Sequence, residues 1–149
     1  MAGTTVIGTF PITLEGSLKT SELVKQGKEW FDDWITDGRF PIKEHAPLDR
    51  TIELLEFDHD PSNNQILEEL LRRGLERPTY EHALYFGIKH PEEQRKRPII
   101  FLHEPVRGKG GSLYVLVLRE EAGHRGLYLY GFETSWNRGC AFAGVRKQL

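Results

Sequence analysis

Hydrophobic and polar positions follow two different periods along this chain, and the change falls near residue 98. Over 21–38, SELVKQGKEWFDDWITDG, the residues Leu23, Val24, Gly27, Trp30, Phe31, Trp34 and Ile35 fall on one face at helical spacing. Thr20 or Ser21 can cap the start and Gly38 can take the left-handed stop, so the spacing predicts a helix over 21–38. A second helix is predicted within 58–79. Its stripe is Ile66, Leu67, Leu70, Leu71 and Leu75, Ser62 and Gln65 stand at capping-box spacing, and Gly74 suits the end. A third begins at Thr79, just after Pro78, and runs as YEHALYFGIKH to Pro91, with PEEQRK adding a further turn. VIGTFPITL, 6–14, reads as extended, and Pro11 inside it removes a ladder donor, which predicts an edge strand. Residues 39–50 read as a connector and 51–57, TIELLEF, as a short strand.

After Pro98 come four strand-like runs, 99–103, 113–118, 126–133 and 140–147, separated by turn-rich segments. Connections this short favour antiparallel neighbours. The expectation is one α+β domain over 1–149. Residues 1–91 would form its mostly helical part. Residues 98–147 would form a mainly antiparallel, four- to five-stranded carboxy-terminal meander, with about three amphipathic helices packed on it.

The stretch LYLYGFETSW, 127–136, raises the functional question. In a strand, Leu127 and Leu129 point one way while Tyr128, Tyr130 and Phe132 point the other. Both faces are apolar, and 113–118 shows the same property. Either the protein covers the sheet on both sides, or one face meets a partner. Tyr tolerates half exposure because its hydroxyl can stay wet.

Composition narrows the class. A chain of 149 residues can bury roughly 70% of its unfolded surface without a staple. The only cysteine is Cys140, so neither an intramolecular disulfide nor a cysteine-built zinc cage is possible, and Cys140 reads as a small buried residue. The amino-terminal segment lacks the pattern of a signal peptide, and the longest apolar run, 113–118, is far short of the ~20 residues of a membrane span. A reduced cytoplasmic protein with no membrane contact is expected. Net charge is −2, unevenly spread. Residues 1–90 hold 16 acidic against 10 basic residues, and 91–149 hold 6 against 10. If the fold keeps the second set together, a basic face results.

Two readings of function follow. The first is a non-enzymatic interaction module, with no cofactor, whose contact surface uses Tyr128, Tyr130, Phe132 and Trp136, rimmed by Arg119, Arg125, Arg138 and Lys147. Its partner is a protein, a second copy included, or single-stranded nucleic acid, since bases stack on aromatic rows while Arg and Lys meet phosphates. The second is a small metal-assisted hydrolase. Asp58, His59 and Asp60 place two carboxylates around an imidazole, and His103 with Glu104 could act as an acid/base pair at a strand end. It requires the two segments to meet. Asp60 before Pro61 also reads as a helix cap, and RGKGGS, 107–112, lacks the phosphate-loop pattern and reads as a hairpin loop.

The run RRGLERPTYEHALYFGIKHPEEQRKRPIIFL, 72–102, followed by FAGVRK, 142–147, resembles a group of small uncharacterised bacterial proteins. These carry an "RRGLRPAT…FG…P..QR..PI" run and a terminal strand of "F.AVRK" type. The likeness spans mostly 62–147 and departs at His103–Pro105, where a glycine would follow the strand. It implies this element order and a bacterial or phage-like origin, and it brings no activity and no catalytic residue.

Overall fold

A computed structural model describes residues 3–26 and 30–148. Its centre is an eight-stranded, mostly antiparallel sheet: β1 (Thr4–Leu14), β2 (Trp30–Phe31), β3 (Leu48–Phe57), β4 (Leu75–Glu76), β5 (Ile99–Arg107), β6 (Leu113–Glu121), β7 (His124–Gly131) and β8 (Ala141–Arg146). The order across the sheet is β1-β3-β8-β5-β6-β7-β2, with β4 beside the end of β8. Four helices accompany it: α1 (Thr20–Lys25), α2 (Asn63–Arg72), α3 (Tyr80–Lys89) and α4 (Glu93–Lys96).

The α+β class stands, but the sheet is wider than a carboxy-terminal meander. Only β5, β6 and β7 follow one another as antiparallel neighbours; β8 crosses back and inserts between β3 and β5, parallel to β5. The reason is burial. Ala141 through Val145 are all buried, so β8 has no polar face to offer water and belongs at the centre, covered on both sides.

The helix over 21–38 is also corrected. It ends at Lys25; Gly27 lies outside the described residues, and Trp30 and Phe31 form β2, parallel to β7. Beyond them the Asp32 carboxylate accepts the Trp34 N–H at 2.9 Å and the Asp32 carbonyl accepts the Ile35 N–H at 3.1 Å, a turn that short acidic side chains favour over helix. Nor do Thr20 and Ser21 cap α1. The Thr20 hydroxyl donates to the Phe40 carbonyl, and Ser21 donates its N–H and its hydroxyl to Asp37 at 2.7 and 2.8 Å. These bonds hold the Asp37 carboxyl below its ordinary value. The caps predicted for α2 and α3 are present: Ser62 accepts the Gln65 N–H and Thr79 accepts the His82 N–H.

Two cores sandwich the sheet. On one face α1 and α3 pack Leu23, Val24, Leu84 and Phe86 against Ile52, Ile99, Leu116 and Leu127. On the other, α2 packs Ile66 and Leu70 against Leu55, Phe142 and Ile100, and the chain after β7 adds Trp136. Helices therefore cover both faces, but among the described residues the second core draws on one helix, α2. No helix among the described residues is long and apolar enough to cross a membrane.

Candidate functional site

β6 and β7 hold Tyr128 opposite Val117 and Tyr130 opposite Val115, on the face that α2 covers. Their rings are half-buried. Gly126 lies beneath the Tyr128 ring; a Cβ there would stand 2.4 Å from a ring carbon. Trp30 stacks on Tyr128, with ring centroids 4.7 Å apart, yet 47% of its surface stays exposed. The Arg119 guanidinium sits 5.0 Å from the Tyr128 ring centre and donates to the Tyr130 hydroxyl. Tyr130 in turn stacks on Trp136 at 6.2 Å. The row is thus one ladder, Trp30–Tyr128–Arg119–Tyr130–Trp136, running from the rim of the sheet into the core.

Trp136, expected on the surface, is buried at the inner end of this ladder. Asn63, the first residue of α2, fixes it there. Its Oδ1 accepts the Trp136 indole N–H at 2.6 Å, and its Nδ2 donates to the Phe132 carbonyl at 2.7 Å. Phe132 is half-buried against the same core. Leu113, on the neighbouring strand, is 38% exposed and extends the apolar rim.

The four expected cations do not gather around the row. Arg119 is there, engaged with Tyr130 and, at 2.7 Å, with Glu121, and the bond to Tyr130 holds its pKa above the ordinary value. Arg125 is half-buried on β7. Arg138 instead clamps the 58–60 segment, with its N–H and Nε donating to the Asp60 carboxylate at 3.0 and 3.2 Å. That contact depresses the Asp60 carboxyl. Lys147 follows β8, three strands from β7, beside a groove lined by Leu67, Leu71 and Leu75.

The residues of the hydrolase reading are not brought together. His59 packs edge-on against Phe57 on the α2 face and its Nδ1 lies 2.9 Å from Asp58. His103 lies on the opposite face, against Phe40 and Tyr80. Its Nδ1 is 2.7 Å from the Glu104 carbonyl oxygen and its Nε2 3.0 Å from the Leu116 amide nitrogen. Here β5 bulges: Phe101 pairs with Leu116, but the next pair is Val106 with Tyr114. The imidazole fills the break, replacing the acceptor that the bulge removed. Arg77 closes the outer side, donating to the carbonyls of Leu102 and His103 and, at 3.1 Å, to the Glu104 carboxylate. Burial pushes His103 down to about 4. Among the described residues, no group of three or more His, Cys, Asp or Glu could hold a metal ion. A concavity of about 800 Å³ between β1, β3 and α3 has no histidine or cysteine in its lining.

Sequence reasoning missed Trp30, because its helical spacing placed it in a helix stripe. Gly126, two residues before Tyr128, was the available signal, since glycine in a strand invites an aromatic to cover it. Comparison with protein-family models, with curated proteins and with solved structures finds no match.

Proposed function

We propose that this protein is a non-enzymatic interaction module that binds another protein chain through the outer end of the aromatic ladder: Trp30, Tyr128, Tyr130, Phe132 and Leu113. One observation carries the reading. Trp30 is held against Tyr128 by stacking, and half of its surface faces water. Trp, Tyr and Arg in a partly desolvated cluster are the composition of interface anchors.

Around the aromatic row the charges favour protein over single-stranded nucleic acid. Arg119 already meets Glu121, and Arg138 meets Asp60, so a phosphate would have to displace carboxylates from both. The test is a photo-crosslinking residue placed at position 30, irradiated in a lysate of the native host, with position 6 on the far edge as control. The expected result is a discrete, protease-sensitive adduct from position 30 alone. The absence of any adduct there overturns the proposal. Salt-dependent binding of an oligothymidylate would move the reading to nucleic acid. Light scattering tells a second copy of this chain from a different protein.

A further inference from the structure

The two edges of the sheet are built differently. β1, at one edge, is blunted along its length. Its register shifts between Val6 and Gly8, Pro11 offers no donor, and two of its carbonyls are taken, Thr4 by Arg73 and Pro11 by His90. β7, at the other edge, has among the described residues the two residues of β2 beside it. Trp30 pairs with Gly126 and Phe31 with Leu127, the Asp32 N–H reaches the Leu127 carbonyl, and the chain then turns away. Alternation along β7 sends the N–H and C=O groups of Tyr128 and Tyr130 towards β6 and those of Leu129 and Gly131 outward. The Gly131 carbonyl accepts the Thr134 N–H. The Leu129 N–H and C=O and the Gly131 N–H find no partner among the described residues. Residues 128–131, Tyr-Leu-Tyr-Gly, carry no proline, charge or bulge to guard them.

We infer that an extended segment of a partner protein adds to the sheet along Leu129–Gly131, with an acidic residue flanked by apolar ones. An added strand alternates its side chains between the two faces. On one face they meet Trp30, Tyr128 and Tyr130, which suits apolar residues. On the other they meet the outer surface of a closely packed cluster of Leu129, Trp34, Tyr114, Arg39 and Arg107, in which the two arginines are exposed. Neither arginine has a carboxylate within ion-pair reach among the described residues: Arg39 lies 3.8 Å over Trp34, and Arg107 donates to the Gly111 carbonyl. Two unanswered guanidinium groups beside a free ladder select a carboxylate at the intervening position. This rests on the reading of the aromatic ladder as a protein-binding surface and adds the mode of binding.

The probe is a phage-displayed library of random peptides about ten residues long. The expected enrichment is for apolar–acidic–apolar sequences. Gly131→Pro deletes one outward N–H and no ladder bond; it should weaken the selected peptides about tenfold, while Gly131→Ala stays within about twofold. Space is available, since a Cβ at 131 would meet nothing closer than the Thr134 Oγ1 at 3.5 Å. Should Gly131→Pro fail to fold, leucic acid in place of Leu129 removes the Leu129 N–H, with a weakened Tyr128 carbonyl as its only cost to the β6 pairing, and is held to the same expectation. Arg39→Glu with Arg107→Glu should reverse the preference from acidic to basic peptides. Absence of enrichment, or equal binding to Gly131→Pro, overturns strand addition. If peptides keep their affinity for Gly131→Pro but lose it for Trp30→Ala, the aromatic surface stands and strand addition alone falls.

Discussion

Acid should destabilise this protein between pH 7 and 5 through the histidine that fills the β5 bulge. The His103 Nδ1 faces a carbonyl and must carry a hydrogen; its Nε2 faces an amide N–H and must accept. Only the neutral ring does both, and a second proton would set N–H against N–H in a residue that is 1% exposed. Burial holds the folded group down to about 4, against about 6.5 in the unfolded chain. Stability from this group is therefore complete above about pH 7. It is lost as pH falls from 6.5 towards 4, because the unfolded chain takes up a proton that the folded chain refuses. At about 1.4 kcal/mol per pH unit, the step from pH 7 to 5 costs about 2 kcal/mol. His82, also buried and pushed down to about 4, adds a similar loss. His45 works the other way: the Ala46 carbonyl and Glu81 raise its pKa, so its contribution grows as pH falls. The lowered carboxyls of Asp37, Asp60 and Glu69 start below the ordinary carboxylate range, so they lose their contribution at more acid pH. Urea unfolding at pH 7, 6 and 5 separates the terms. His103→Gln keeps an acceptor without a titrating group, so it should be less stable at pH 7 yet lose about 2 kcal/mol less than wild type on going to pH 5. A variant with the same pH dependence as wild type would refute the neutral-ring argument.

Three further outcomes are expected. Gly144→Ala should cost about 1–3 kcal/mol in urea unfolding, because its Cβ would stand 2.6 Å from Leu70 and 2.8 Å from Leu75, whereas Gly38→Ala, with nothing within 4 Å, should be neutral or gain up to about 1 kcal/mol. Ser62→Ala and Thr79→Ala should each lower stability by about 1 kcal/mol by removing a helix cap, read as shifts in thermal melting. Asn63→Leu leaves the Trp136 indole N–H and the Phe132 carbonyl without their partner; it should cost about 2–3 kcal/mol and shift tryptophan emission, and unchanged emission would mean that Trp136 is held by packing alone.

The parts legible in the sequence were those decided by neighbours in the chain. The Ser62 and Thr79 caps, the turn at 93–96 and the edge placement of Pro11 all rest on contacts within a few residues, whereas the stripe read for α2 holds only for Ile66, Leu67 and Leu70: Leu71 is 73% exposed and Leu75 lies on β4. The stretch 30–36 was illegible for the opposite reason. Trp30, Phe31, Trp34 and Ile35 fit a helix locally, but Trp30 finds its stacking partner in Tyr128, almost a hundred residues away, and such contacts override propensity. The insertion of β8 was equally remote: its five buried residues demanded a central position, but nothing local said between which strands. For the site, the alternation of Tyr128, Tyr130 and Phe132 gave the surface, while the fate of the cations depended on which carboxylates the fold brought near. Arg138 found Asp60 across 78 positions.

The aromatic row is both core and platform, and the dimensions of the sheet explain why. Seven strands in the main path, at about 4.8 Å spacing, span roughly 29 Å. One helix, about 10 Å across, covers two to three of them. On the α2 face that helix lies over β3, β8 and β5, so β6 and β7 must be roofed by something thinner. Val115 and Val117 are fully buried there, and the Trp136, Tyr130 and Phe132 rings supply much of the cover. A ring laid flat on a strand hides what is beneath it and still turns its outer side to water. Aliphatic side chains in the same places would cover the valines equally well but would leave a greasy surface with no polar edge. Tyr130→Phe keeps the roof and removes only the hydroxyl that anchors Arg119, whereas Tyr130→Ser strips the roof from Val115. The first should leave stability within about 1 kcal/mol and weaken partner binding; the second should unfold the β6–β7 end before any partner is met.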